Sequence, residues 1–313
     1  MIRTKALRKQ FKDFVAVRGI DLSVSAGEIL ALLGPNGAGK TTTVRMLASI
    51  LEPTSGRAWI DGHDTVEEAV QVRRSVGVLT EDPGLYGRMK AREYLRFFGE
   101  LHGLERETSD QRADRLMDQF GMGDVWSLRL SEYSKGMRQK LALIRTMLHE
   151  PAVLLLDEPT SAMDPHSAKL VRDSIISLRH TERTIVICTH NLAEAEAIAD
   201  RIAIIRRGEI VIEGTASKLK RDLLGDPLFE LCLDGNSNGT VDLIGDLVHV
   251  EAEGQDWIRY RTDDLLAVNP AVLNRLAHAG RRVVTLSEVP RSLEDVYLQV
   301  VNKASSLEEV GIA

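Results

Sequence analysis

The chain has 313 residues, 43% hydrophobic and 27% charged, with a formal net charge of −6. That is the composition of a folded globular protein with ample length for a buried core, and it excludes disordered and fibrous classes. An acidic total gives no bulk-charge support for nucleic-acid binding, so no nucleic-acid partner is expected. Cys188 and Cys232 lie far apart and in no C-x-x-C spacing, which argues against a disulfide framework or a zinc site.

The opening MIRTKALRKQFKD has no apolar run, so no secretory signal is expected. Nor does any stretch approach the roughly 18 apolar residues that a membrane helix needs. Residues 3–33 read as short strands joined by turns, with Phe11 an aromatic that by itself would be assigned to the core. Glu28–Leu33 is an apolar run of strand length, and Thr43–Ile50 has helix length. Between them stands GPNGAGKTT: Gly34, Pro35, Asn36, Gly37, Ala38, Gly39, Lys40, Thr41, Thr42. This matches the phosphate-loop template G-x-x-x-x-G-K-[ST] in the strand–turn–helix context that gives the template meaning. The glycines let successive N–H groups point into one concavity, and the helix start adds unpaired N–H groups and its positive dipole end. Lys40 offers a charge to the β- and γ-phosphates, and the Thr41 hydroxyl offers a ligand to Mg2+. The competing reading is a glycine-rich turn that binds nothing.

Downstream, Glu52–Gly56 is a breaker cluster, Arg57–Gly62 a short strand and turn, and 65–75 a helix. Val76–Leu79 is a short strand running into Thr80–Gly84. Residues 91–120 carry two helical stretches broken at Gly103, with apolar positions Tyr94, Leu95, Phe97, Phe98 and Leu101 at helical spacing. Leu130–Gln139 is a turn feeding a helix through Leu148, with Ser134 placed to cap it. Ala152–Glu158 is an unbroken apolar strand ending in Asp157 and Glu158, the pattern of a central parallel strand buried on both faces. A helix from Pro165 to His180, a strand from Arg183 to Thr189 ending at His190, a helix from Asn191 to Asp200 and two short strands complete this part. Strand–helix alternation to about residue 222 predicts an α/β fold with a largely parallel sheet. After Leu224–Pro227 the texture changes. A strand (Leu228–Leu233), a helix (Val241–Leu247), a hairpin (Val248–Arg261), a helix (Ala271–Ala279), a strand (Arg282–Leu286) and a helix (Ser292–Val300) predict a small split β-α-β domain of α+β type.

In such sheets ligands sit at the carboxyl ends of the parallel strands. Asp157 there can hold Mg2+, which takes few protein carboxylates beside phosphate oxygens, and Glu158 can polarise an attacking water. Two adjacent acids at the end of a buried strand would be costly as mere structure. His190 alone reads as an ordinary capping or core histidine.

Taken in order, the phosphate loop, Glu81, Tyr133-Ser-Lys-Gly-Met-Arg-Gln139, Asp157-Glu158, Ser161–Asp164 and His190 resemble the ATP-binding-cassette (ABC) ATPase family over about residues 3–222. The C-terminal block, ending Ser292-Leu-Glu-Asp-Val-Tyr297, is similar to the accessory domain on ATPase subunits of sodium- and drug-efflux exporters of that family. The resemblance implies an ABC ATPase domain over 1–224, with a helical subdomain at about 82–150. It also implies an antiparallel β subdomain, an accessory domain over 225–302 and a frayed tail over 303–313. It implies ATP and Mg2+ as cofactors, with Phe11 stacking on adenine and Gly34–Thr42 cradling the phosphates. Thr41, Asp157 and Glu81 would be placed for Mg2+, Glu158 as general base and His190 on the γ-phosphate. Ser134 and Gly136 would contact ATP held by an opposing subunit, and Asp164 would lie in the loop coupling the two sites. It also implies a head-to-tail dimer with a second copy or a paired homologue. The dimer would drive a separate integral membrane permease from the cytoplasmic face, with the 81–133 region as docking surface. The alternative is a soluble ATPase of the same family acting in repair, iron–sulfur assembly or translation. Two departures stand out: Glu81 where the family has Gln, which exchanges a donor for a charge, and Lys135 and Met137 within the signature.

Overall fold

The continuous apolar runs are explained by two cores, one on each face of a single sheet. In the computed structural model, which describes residues 1–82, 84–161, 163–178 and 183–299, alternate residues of these strands go to opposite sides. Leu154, Leu156, Ile185 and Ile187 join one core, and Val153, Leu155, Val186 and Cys188 join the other. A strand with water on one face would alternate apolar and polar residues; one covered on both faces cannot. The expected tail at 303–313 and Val300, at the end of the expected last helix, lie outside the described residues.

The chain forms two compact units, Met1–Ala216 and Ser217–Ala313. The first contains β1 (Ile2–Phe11), β2 (Phe14–Val24), β3 (Ile29–Leu33), α1 (Lys40–Leu47), β4 (Ser55–Ile60), β5 (His63–Asp64), α2 (Ala69–Ser75) and β6 (Val76–Leu79). It continues with α3 (Ala91–Leu101), α4 (Arg106–Gln119), α5 (Lys135–Met147), β7 (Val153–Asp157), α6 (Pro165–Ser177) and β8 (Thr184–Thr189). The helix α7 (Leu192–Ile198) and the strands β9 (Arg201–Arg206) and β10 (Glu209–Gly214) close the unit. The central sheet has the order β10-β9-β3-β8-β7-β6. All its pairings are parallel except that of β10 with β9. A second sheet, β2-β1-β4-β5, is antiparallel.

Between β6 and β7 the helices α3, α4 and α5 form a separate layer around Tyr94, Leu116, Phe120 and Leu141. Arg96 grips Asp110 through two hydrogen bonds of 2.6 Å, and Arg92 reaches Asp114 at 2.7 Å, tying α3 to α4. The Arg96 guanidinium holds the Asp110 carboxyl below its ordinary range.

The second unit starts ahead of residue 224 because α8 (Ala216–Leu224) groups with it. Its sheet runs β11 (Leu228–Leu233), β12 (His249–Glu253), β13 (Trp257–Arg261), β14 (Val283–Glu288), in spatial order β12-β13-β11-β14 and antiparallel throughout. The helices α9 (Thr240–Ile244) and α10 (Leu265–His278) make the chain order β-α-β-β-α-β. Their core holds Phe229, Leu231, Ile258, Tyr260, Val272 and Leu276, and Tyr260 donates its hydroxyl to Asn269 at 2.7 Å. Sequence breakers predict that the second helix starts at Ala271, yet it begins six residues earlier, through Pro270. Asp264 caps it by accepting from the Ala267 N–H at 3.0 Å. The proline removes the amide that would reach the carbonyl of Leu266, a residue 91% exposed, so water can serve that carbonyl instead.

One half-buried group ties the stability of the fold to pH. His102 and His149 stack with centroids 3.7 Å apart, and His149 lies 3.2 Å from the Val76 carbonyl. Burial, with the charges of His102, Arg112 and Arg183 around it, pushes His149 down to about 4 from 6.5. Between those two values the unfolded chain binds a proton that the folded chain does not. This contribution to stability is therefore complete above 6.5 and is lost as pH falls toward 4. Urea titrations at pH 7.5 and pH 5 should show the stability gap between wild type and His149→Gln narrowing at the lower pH by on the order of 1 kcal/mol. A gap unchanged with pH would assign the acid sensitivity to other groups.

Candidate functional site

Three neighbouring strands end at one place. Leu33 lies opposite Thr189 and Cys188 opposite Asp157, so the carboxyl ends of β3, β8 and β7 are level. The next residues are stitched across them: Gly34 N–H donates to the Thr189 carbonyl (3.3 Å) and Glu158 N–H to the Cys188 carbonyl (2.9 Å). The phosphate loop, Asp157-Glu158 and His190 are thereby delivered to a single edge, the edge where parallel sheets take ligands.

The loop after β3 needs glycine for stated reasons. Gly39 has φ +108 and a Cβ there would lie 2.6 Å from the Ala16 carbonyl oxygen. At Gly34 a Cβ would meet the Ile205 carbonyl at 2.3 Å. Gly39 also starts α1, and no side chain caps that helix. Its first turn thus presents N–H groups and the positive dipole end toward the cavity, the arrangement that favours an anion. Lys40, 6% exposed, lays its ammonium along the loop, donating to the carbonyls of Gly34 (2.6 Å) and Pro35 (3.2 Å).

Facing the loop, Thr41 Oγ1 donates to Asp157 Oδ2 at 2.7 Å. Burial pushes the Asp157 carboxyl up, opposed by that hydrogen bond and by Lys40, and Glu81 adds to the push. A cation delivered between Thr41, Asp157 and phosphate oxygens would relieve this. Among the described residues no group of three or more His, Cys, Asp or Glu could hold a metal alone. An ion such as Mg2+, which arrives with phosphates and keeps waters, would find Thr41 and Asp157 as candidate protein ligands there.

Glu158 is 7% exposed and adopts φ +51, a conformation that costs a non-glycine residue and clusters at functional sites. Its Oε1 lies 2.7 Å from His190 Nδ1, whose side chain is 60% exposed. Its carbonyl accepts from Ser161 N–H (3.1 Å) and Gln139 Nε2 (3.4 Å). The resulting cavity, about 390 Å³, is bounded by the phosphate loop, Glu81, Asp157 and Glu158. A larger hollow of about 1110 Å³ shares Thr41, Glu81 and Asp157 and extends to Lys135 and Arg138.

Other expected residues fall elsewhere. Phe11 is not among the cavity's lining; Phe14 is. The two close a hairpin, paired across the Lys12-Asp13 turn, and the Lys9 ammonium lies 5.2 Å from the Phe11 ring centroid. An aromatic on each side of a two-residue turn was the signal for Phe14. Ser134 and Gly136 sit at the start of α5 outside the phosphate-loop cavity, Ser134 exposed and accepting from Met137 N–H at 3.2 Å. Asp164 caps α6 through Ser167 N–H at 3.0 Å, a bond that holds its carboxyl below the ordinary range.

The family model for ABC transporters matches residues 17–161. The ABC transporter ATP-binding protein NatA of Bacillus subtilis is 42% identical over 224 residues, covering 70% of this chain and 91% of that protein. The daunorubicin resistance ATP-binding protein DrrA3 of Streptomyces coeruleorubidus is 33% identical over 309 residues, covering 98% of each. Among solved structures, an ATP binding subunit of an ABC transporter superposes with TM-score 0.67 at 28% identity, over 72% of this chain and 94% of that one.

The loop geometry makes a separable demand. Gly39→Ala should weaken binding of a fluorescent ATP analogue by at least roughly tenfold, because both φ and the Ala16 carbonyl oppose a Cβ. Gly62→Ala, at φ +84 with nothing within 4 Å of its Cβ position, should leave that titration unchanged. Equal affinities for the two variants would contradict the cradle.

Proposed function

The chain belongs to the ATP-binding proteins of ABC transporters, and from that premise we propose that it hydrolyses ATP with Mg2+ in the phosphate-loop cavity to drive export through a separate membrane permease. The observation that carries the chemistry is the 2.7 Å contact between Glu158 and His190 at the strand edge that also bears Lys40, Thr41 and Asp157. Hydrolysis joins a water oxygen to the γ-phosphorus and breaks the bond from that phosphorus to its bridging oxygen. Glu158 would take the water's proton, its carboxylate aimed by its own strained backbone and by His190. Lys40 and the first turn of α1 would stabilise charge on the transferring group, and His190 would steady the γ-phosphate. Thr41 and Asp157 would hold Mg2+, which supplies charge neutralisation across the phosphates when bound. Glu81, on the rim of both hollows, would bring acceptors where a donor is more usual. The adenine would lie against the hairpin tip carrying Phe11 and Phe14.

The placement of Ser134 and Gly136 outside this cavity, at an exposed helix start, supports their serving an opposing subunit. Two chains, either identical or homologous, would then close head to tail on two nucleotides. Among the described residues no helix is long and apolar enough to cross a membrane, so a partner would supply the span and hold this subunit at its cytoplasmic face. A hollow of about 360 Å³ lined by Ile50, Val76, Phe98, His102, Arg145 and His149, beside exposed Tyr86, Phe97 and Leu101, supports docking of a short partner helix there. The resistance in the name of DrrA3 supports export as the direction.

Lys40→Ala should abolish ATP turnover. Glu158→Gln should bind ATP with parental affinity, fall in turnover by roughly a thousandfold and accumulate as an ATP-dependent dimer on size-exclusion chromatography. Turnover by Glu158→Gln at the parental rate would move the base elsewhere, with Glu81 next in line. A purely monomeric ATP complex would remove the head-to-tail reading.

A further inference from the structure

Glu194 lies at the third position of α7, where a glutamate ordinarily reaches back to the N–H of the capping residue. Here the cap is arranged differently. Asn191 Oδ1 accepts from Glu194 N–H at 3.0 Å, but the Asn191 N–H donates to Thr189 Oγ1 at 3.0 Å. That releases the Glu194 carboxylate for other use. It is 3% exposed, and its two oxygens go to the segment after β7 and to the end of β8: Oε1 accepts from Thr160 Oγ1 at 2.5 Å and Oε2 from Thr189 Oγ1 at 2.7 Å. No ion pair among the described residues includes it. A carboxylate buried on two neutral hydroxyls is expensive, and an apolar side chain of the same volume would pack there at lower cost.

The two threonines explain what that cost maintains. Thr160 follows Glu158 by two residues, and Thr189 immediately precedes His190. Glu158 stands at φ +51, so its direction depends on what constrains the chain after it. His190, with a side chain 60% exposed, has too little packing of its own to fix its ring. We infer that Glu194 is a positioning residue for hydrolysis, clamping the segment after Glu158 to the segment before His190 so that the 2.7 Å contact between them is held. The same clamp ties Thr189, the residue before His190, to Thr160. The inference rests on the reading that Glu158 and His190 carry the hydrolysis.

The test uses the full chain and three readouts: turnover number, ATP affinity and melting temperature. In Glu194→Gln the carboxamide accepts one hydroxyl but offers N–H to the other, so one arm must reverse. Turnover should fall roughly ten- to a hundredfold while ATP affinity stays within about twofold and melting is little changed. Thr160→Val, which cuts only the arm to Glu158 and keeps the shape, should give the same turnover-only loss on a smaller scale; it carries the test if Glu194→Gln fails to fold. In a His190→Ala background Glu194→Gln should add no further loss, because it acts through the histidine. A full, additive loss in that background would overturn the clamp, as would a loss of affinity and melting temperature in step with turnover. Should His190→Ala or Glu158→Gln hydrolyse at the parental rate, the reading of the site fails. If both are impaired and Glu194→Gln is silent, only the clamp fails.

Discussion

Everything at the site depends on the register of three buried parallel strands. β3, β8 and β7 are hydrogen-bonded neighbours whose last residues are level, and each is covered on both faces. A slip of one residue would send the residues of each strand to the opposite core, where the side chains no longer interdigitate. The same constraint sets the chemistry, because residues just past the strand ends inherit their positions from the ladder. Gly34 lies more than a hundred residues from Glu158 and His190, which are themselves 32 apart, and they meet because the hydrophobic cores leave them no alternative.

The edge so formed concentrates charge that the protein alone does not balance. Asp157 and Glu158 are nearly fully buried, and Lys40 is turned onto loop carbonyls. Asp157 is pushed up by burial more than Thr41 and Lys40 pull it back. Carboxylates crowded in low dielectric are a poor stabilising device but a good receptor for a multiply charged ligand with a divalent ion. The strained φ of Glu158 belongs to the same pattern, in which local cost is carried by the surrounding sheet.

How much of this the residues reveal depends on whether the deciding signal is local. The phosphate loop was legible because glycine, lysine and threonine at fixed spacing between strand and helix have one physical use. The Asp157-Glu158 strand was legible because an unbroken apolar run ending in acids has few other meanings. The hairpin tip is only half legible: an aromatic stands on each side of the Lys12-Asp13 turn, and only the folded chain shows that Phe14 lines the cavity. The start of α10 was misplaced because Pro270 reads as a breaker when its surroundings are unknown. Glu194 was invisible for a different reason. As a glutamate three residues after Asn191 it looks like a routine helix start, and only the folded chain shows its carboxylate given over to Thr160 and Thr189.

The hydroxyl network also bears on how the site can respond to a ligand. Thr41 donates to Asp157, Thr160 and Thr189 donate to Glu194, and the Asn191 N–H returns to Thr189. Hydroxyls rotate at little cost and both donate and accept, so each link can re-form after a small shift without leaving a buried polar group unpaired. A lysine or arginine in place of these hydroxyls would lock the carboxylates harder but would compete with phosphate and metal for them. Neutral links hold the geometry while leaving the positive charge of Lys40 and the helix start for the anion. Rigidity here comes from the sheet and adjustability from threonine. These links join Thr41 to the end of β7 and Thr160 to the end of β8 through side chains that can re-pair after a small shift.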